Sequence, residues 1–267
     1  MDMTNYFSGK SLYGDNYTME EIIRWYNEEE ESYADMYGKG VSDNAYNNNL
    51  DILFGYKYIP ATEGMKYNAL GFGSSWGYEL LPIINRIENL CIIDSSAQTV
   101  SKKLGHVTPK YLKATVSGKI EMPDETFNLI TCFSVLHHIP NVTFVVSELF
   151  RVLQKGGYLL LREPINSMGD WRNKRAGLTK HERGIPPQYL KNIILSQKCK
   201  IIKLTHHHFI YSFLVRKLHS PKFLRSKWYL KLDHILSELF LCNFYYHPKN
   251  YLQRISPNSI YYVIIKL

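Results

Sequence analysis

The apolar residues of this 267-residue chain change rhythm near residue 65. Before that point Ile22, Trp25, Tyr26, Tyr33 and Tyr37 recur at roughly helical spacing, with Glu28 to Glu31 on the polar side, which predicts an amphipathic helix. Thr18-Met-Glu-Glu21 has the spacing of a capping box, in which the Thr side chain takes a backbone N–H and Glu21 reaches back. A second helix is predicted from Asn44 to Tyr58, ending before Pro60. Beyond residue 65 short continuous apolar runs take over: Tyr67 to Leu70, Leu90 to Asp94, Tyr111 to Val116, Phe127 to Ser134 and Tyr158 to Glu163. Amphipathic stretches separate them at Trp76 to Ile87, Ala97 to Leu104 and Thr143 to Leu153. Continuous apolar strands alternating with helices predict a parallel sheet covered on both faces, with right-handed crossovers. Lys200 to Thr205 and Ile260 to Leu267 predict two further strands, with a helix from Pro187 to Gln197 before the first. The fold class is therefore α/β, an open, doubly wound, mostly parallel sheet. Residues 1–63 read as an N-terminal helical segment or lid and 64–208 as a Rossmann-like core. Residues 209–253 read as a basic aromatic helical insertion and 254–267 as the final strand of the core.

Composition narrows this little: 45% hydrophobic and 21% charged residues are ordinary for a globular chain. The length suffices to bury a core without staples. Cys91, Cys132, Cys199 and Cys242 lie far apart, and the first two sit inside apolar runs. That pattern predicts buried, reduced thiols in a reducing compartment, and argues against zinc sites and secreted disulfide scaffolds. Met1 to Lys10 lacks a signal-peptide core and no run of eighteen apolar residues occurs, so a cytoplasmic protein is expected. Charge adds more. Residues 1–60 carry four basic and eleven acidic side chains, whereas residues 171–231 carry fifteen basic and one acidic. So one-sided a segment is expected to face something anionic, or to be a solvated basic surface.

Ligands of such sheets bind at the carboxyl ends of the strands. The first strand ends in Gly71-Phe-Gly73-Ser74-Ser75, where glycines permit a tight turn and close approach of a ligand. The second ends in Asp94, twenty-three residues beyond Gly71, at the distance of a ribose-binding acid; a helix cap is the plainer reading. The fourth ends in Ser134-Val-Leu-His137-His138. Here the chain resembles a known family. Leu70-Gly-Phe-Gly-Ser-Ser, Cys-Ile-Ile-Asp94, Met122-Pro-Asp-Glu-Thr-Phe-Asn128, Val135-Leu-His-His-Ile139 and Arg151-Val-Leu-Gln-Lys-Gly-Gly157 are similar, in order and spacing, to successive motifs of class I S-adenosylmethionine-dependent methyltransferases. The resemblance covers about residues 64–165. It implies a seven-stranded sheet with an antiparallel last strand and S-adenosyl-L-methionine as cofactor. It further implies that Gly71, Gly73 and Ser74 pass the methionine part and that Asp94 and Ser95 meet the ribose. By the same resemblance Lys119 and Ile120 flank the adenine and Ser134 lies beneath the sulfonium. The chain departs from the pattern at Ala69, Ser75 and Asn128, where the family often has an acid, a glycine and an acid. A dinucleotide enzyme is disfavoured, because the loop reads Gly71-x-Gly73-x-x-Trp76.

Methyl transfer to a hydroxyl needs alignment and gains from a base. His138, Glu163 and His181 are the candidate catalytic residues at this edge, each with a structural alternative. Asp170, Trp171, Arg172 and Arg183 are the candidate substrate residues, since an aromatic beside carboxylate and guanidinium groups suits a sugar carrying phosphate or carboxylate. The chain also resembles methyltransferases encoded with bacterial polysaccharide genes. The expected partner is thus an anionic small-molecule or glycan acceptor. Apolar and basic residues of 209–253 add a variant in which the chain touches the inner face of a membrane peripherally. A nucleic-acid methyltransferase is the competing enzyme, although Ser134-Val-Leu-His137 stands where base-amine methylases place Asn/Asp-Pro-Pro-aromatic. A catalytically inactive cofactor-binding adaptor is the third reading. No metal is expected: His206 to His208 are consecutive in a strand and point to alternate faces.

Overall fold

The computed structural model describes residues 3–36, 44–61, 64–95, 103–175, 177–209 and 222–267. Seven strands form one sheet in the order β3-β2-β1-β4-β5-β7-β6. These are β1 (Tyr67–Phe72), β2 (Ile87–Asp94), β3 (Lys110–Lys113), β4 (Phe127–Phe133), β5 (Leu153–Pro164), β6 (Cys199–His207) and β7 (Ser259–Lys266). Strands β1 to β5 pair in parallel; β7 runs antiparallel to both β5 and β6. The predicted α/β class and the antiparallel last strand are both present.

Side chains alternate along each strand, so every run feeds two cores. Leu70, Cys91, Ile93, Ile130, Cys132 and Leu161 face α4 (Val142–Val152) and α5 (Pro187–Leu195). Ala69, Ile92, Leu129, Leu160, Tyr261 and Val263 face α3 (Asn44–Phe54) and α6 (Lys227–Leu239). Each fully buried Leu or Ile is worth roughly 1.5–3 kcal/mol, so this two-sided burial decides the fold. The stretch after β1 is a 3₁₀ helix, Tyr78–Arg86, not the predicted α-helix. Pro82 inside it has no N–H to close an α-helical ladder. The helix predicted from Ala97 to Leu104 falls mostly outside the described residues, as do Tyr37, Phe213, Leu214, Arg216, Lys217 and Leu218.

The acidic N-terminal segment folds back across the carboxyl edge of the sheet. α1 (Thr4–Phe7) and α2 (Met19–Met36) precede α3. The capping box starts α2: Glu21 Oε2 accepts the Thr18 N–H at 2.8 Å, and Thr18 Oγ1 accepts the Glu21 N–H at 3.4 Å. Trp25, 1% exposed, anchors the inner face of α2 and donates its indole N–H to the His138 carbonyl at 2.8 Å. In α6, Tyr229 and Leu230 are buried, while Trp228, Ile235 and Leu239 are exposed. The helix packs on α3, β6 and a 3₁₀ turn at Lys222–Arg225.

Candidate functional site at the carboxyl edge

At the tip of β1 the backbone can only be glycine. Gly73 has φ +65°, and a Cβ on it would lie 2.4 Å from Val135 Cγ2. A Cβ on Gly71 would meet Ser74 Oγ at 2.5 Å. The bend is pinned from β2: the Gly73 N–H bonds to the Ile93 carbonyl at 2.7 Å, and the Ser75 N–H bonds to Asp94 Oδ2 at 2.8 Å. Asp94 therefore sits directly beside the glycine turn, half-buried, with Ser95 exposed next to it. Across the edge, Ser134 is exposed at φ +58°, its N–H held by the Arg162 carbonyl at 2.7 Å. Gly71, Gly73, Ser74, Asp94, Ser95 and Ser134 thus lie on the tips of three adjacent strands, β2-β1-β4.

The loop after β3 is ordered by a pair that sequence reasoning passed over. Arg151 Nε bonds Glu148 Oε1 at 2.7 Å, and Glu148 Oε2 accepts the Ile120 N–H at 2.9 Å. Arg151 also donates to the Ile120 and Met122 carbonyls. Their i, i+3 spacing on α4 was the available signal. Ile120 turns into the core at 2% exposure with its N–H and carbonyl engaged, which fixes the loop that the resemblance places beside the adenine. Lys119 beside it is exposed.

Glu163 does not fit the role of a base. It is fully buried, and its Oε1 accepts the N–H groups of Val135 at 2.9 Å and Leu136 at 2.8 Å. Its Oε2 takes the His137 N–H at 3.3 Å and faces His137 Nδ1 at 2.8 Å. The carboxylate is the anchor that shapes the turn after β4. Arg183 is likewise fully buried. It donates to the carbonyls of Tyr13 (2.9 Å), His137 (3.0 Å) and Ile139 (2.9 Å), so it staples backbone and cannot clamp a substrate. Trp171, a candidate substrate residue, is only 5% exposed: its ring stacks on Tyr13 at 5.2 Å and its N–H bonds to the Ser167 carbonyl, so it packs inside the protein. Arg172 and Asp170 form a surface fork at 2.6 Å, and the guanidinium holds the Asp170 carboxyl down at about 2.

His138 and His181, distant in sequence, are brought under α2. His138 Nδ1 lies 3.3 Å from Glu29 Oε2, and Glu29 Oε1 accepts the His181 N–H at 2.7 Å. The His181 ring stacks on Trp25 at 4.2 Å and its Nε2 pairs with Glu28, which also meets Lys180 at 2.8 Å. Burial lowers the pKa of both imidazoles; His137 adds to this at His138, while Glu29 and Glu28 pull the other way. The anionic face sought by part of the basic stretch is thus the chain's own N-terminal helix. Beside the loop leaving β5 opens a cleft of about 860 Å³, lined by Phe7, Arg172, Gln188, Tyr245, His247 and Lys249. Phe7 and His247 stack there at 4.0 Å.

Residues 69–161 match the sequence model of a family described as a methyltransferase domain. No curated protein sequence matches the chain. The fold is similar to that of an S-adenosylmethionine-dependent methyltransferase from Mesorhizobium loti, with TM-score 0.54 and 10% identity over 85% of this chain and 100% of the other. A SAM-dependent methyltransferase from Archaeoglobus fulgidus gives 0.51 and 16% over 79% and 90%. The cyclase SpnF gives 0.51 and 12% over 84% and 80%. These likenesses show a shared fold.

Proposed function

We propose that the chain, whose residues 69–161 match the sequence model of a methyltransferase domain, transfers the methyl group of S-adenosylmethionine to an oxygen of an anionic acceptor, a sugar, lipid-linked glycan or related small molecule. The observation that carries the cofactor half is the meeting of the Gly73 bend, Asp94 and Ser134 on adjacent strand tips. Asp94 offers a carboxylate to ribose hydroxyls, with Ser95 beside it. Gly71, Gly73 and Ser74 leave backbone bare where the methionine part passes. Lys119 borders the adenine end, and Ser134 underlies the reacting centre. When bound, the cofactor supplies an already activated methyl group on a sulfonium. The chain's task is then alignment in a site shielded by α2, a contribution of about 7–11 kcal/mol.

Of the three candidate bases His138 is the one carried forward. Its Nδ1 faces Glu29, which favours the tautomer with a lone pair on Nε2. A neutral imidazole, favoured by the lowered pKa, can take an acceptor proton, an effect of about 10²–10⁴-fold. His181 serves to seat α2. The acceptor half rests on the cleft, whose Lys249 and aromatic walls, with the Arg172–Asp170 fork at its rim, suit a ring bearing hydroxyls and an acidic group. The nucleic-acid reading loses support, because Arg175, Lys180 and Arg183 are spent on the protein's own carbonyls and carboxylates.

Calorimetry tests the cofactor half. Asp94→Ala should weaken S-adenosylmethionine binding about 10- to 100-fold, the worth of a charged hydrogen bond. Asp94→Asn, which keeps an acceptor for the Ser75 N–H, should fall between. Equal affinities in all three proteins would remove the ribose role. Mass spectrometry of nucleotide sugars incubated with enzyme and cofactor tests the acceptor, the expected product gaining one methyl group.

A further inference from the structure

Three donors converge just past the tip of β4 that the methyl-transfer reading does not use together. His137, His138 and Glu182 each present one ligand atom, and these atoms lie within 4.8 Å of one another. His137 Nε2 faces Glu182 Oε1 at 3.8 Å, and the two imidazole rings are 4.0 Å apart. Side-chain exposures of 7% for His137, 14% for Glu182 and 22% for His138 leave the group largely buried but in reach of solvent.

Each donor is held from behind. Glu163 fixes His137 through Nδ1 at 2.8 Å, which turns Nε2 toward Glu182. Glu29 meets His138 Nδ1 at 3.3 Å. Glu182 uses its other oxygen, Oε2, to accept the Thr179 N–H at 3.1 Å. Metal-binding histidines characteristically give their second ring nitrogen to a carboxylate, which fixes the tautomer and raises ligand basicity. Here both histidines do so. Nearby carboxylates (Glu29, Glu163, Glu182) supply the negative charge a cation needs, and Arg183 is committed to backbone carbonyls.

We propose that His137, His138 and Glu182 form a two-histidine, one-carboxylate site for a divalent transition metal at the carboxyl edge of the sheet. Two imidazoles and one carboxylate select Zn²⁺, Co²⁺ or Fe²⁺ over Mg²⁺ and Ca²⁺, which take all-oxygen sets. Donors about 2.0–2.1 Å from a tetrahedral ion stand roughly 3.3 Å apart, so binding draws the three together by small side-chain rotations. Three protein ligands leave a coordination position open to water or to an oxygen of a bound molecule. An ion on the His138 ring occupies the lone pair that would otherwise take a proton. The loaded chain therefore holds an oxygen by coordination where the metal-free chain meets it by hydrogen bonding.

The test needs neither cofactor nor acceptor. The intact chain, stripped with chelator, is titrated with Co²⁺ and followed by its visible absorption, then back-titrated with Zn²⁺. One equivalent of Co²⁺ should bind, Zn²⁺ should displace it, and thermal unfolding should move upward with metal. Glu182→Gln, which keeps an oxygen for the Thr179 N–H, should weaken binding at least tenfold while its unfolding without metal stays near wild type, and His138→Asn should weaken binding at least tenfold when tested under conditions where its own unfolding curve shows it folded. Absence of binding at micromolar Co²⁺ and Zn²⁺ would overturn the proposal. So would undiminished uptake by both folded variants, which would put the ion elsewhere.

Discussion

Two residues show how single positions carry this molecule. Gly73 has no alternative: a side chain there would pay about 1–2 kcal/mol for the left-handed backbone and collide with Val135. Gly73→Ala should lower stability by about 1–3 kcal/mol in urea unfolding and weaken S-adenosylmethionine binding. Adding Val135→Ala should recover the collision but not the backbone cost; a Gly73→Ala protein as stable and tight-binding as wild type would contradict both. Asp51 in α3 is fully buried, 3.5 Å from Arg162 of β5. Burial pushes its carboxyl up to about 6, with Arg162 opposing. The unfolded value is about 3.9, so the folded state takes up a proton the unfolded chain has already lost. That contribution is complete below about pH 4 and disappears as pH climbs through 6. A rise of about two pH units corresponds to roughly 3 kcal/mol. In Asp51→Asn the urea midpoint should therefore fall less than in wild type between pH 4 and pH 7, and parallel profiles would refute this.

At the scale of elements, what could be read in advance was what local pattern encodes. Runs such as Leu90 to Asp94 and Phe127 to Phe133 are buried strands because both their faces are apolar, and nothing distant needs to be known. The glycine bend and Asp94 were legible for a similar reason, since strand ends fix the edge on which they meet. The errors lie where a partner arrives from far along the chain. Trp171 turns inward because Tyr13 stacks on it from 158 positions earlier. Arg183 is buried because carbonyls at Tyr13, His137 and Ile139 surround it, and no spacing in the loop announces them. Glu163 next to Pro164 gives no hint that three amides 26 to 28 residues upstream consume its oxygens. Pro82 was visible, yet the amphipathic pattern around it outweighed its missing N–H.

Over the whole molecule, the uneven charge of the two halves resolves partly into an internal contact. The acidic α2 lies on the basic loop after β5, through the buried Glu29 and the half-exposed Glu28. Salt screens the outer pair more than the inner one. Hydrogen exchange across α2 should therefore quicken modestly in high salt or in Glu28→Gln. Glu29→Gln should quicken it far more, because the single amide oxygen cannot accept from both the His181 N–H and His138, a loss of about 1–3 kcal/mol. Equal exchange in the two variants would mean that Trp25 alone seats the helix.

The sheet order has one more implication, for how the molecule comes together. β6 precedes β7 in the chain, yet its neighbour in the sheet is β7, wedged between it and β5. Without β7 in place, the flank of β5 has its peptide groups unmatched and β6 has no strand of the sheet to pair with. Such long-range closure is slow, and an incomplete chain offers a ready seam to its neighbours.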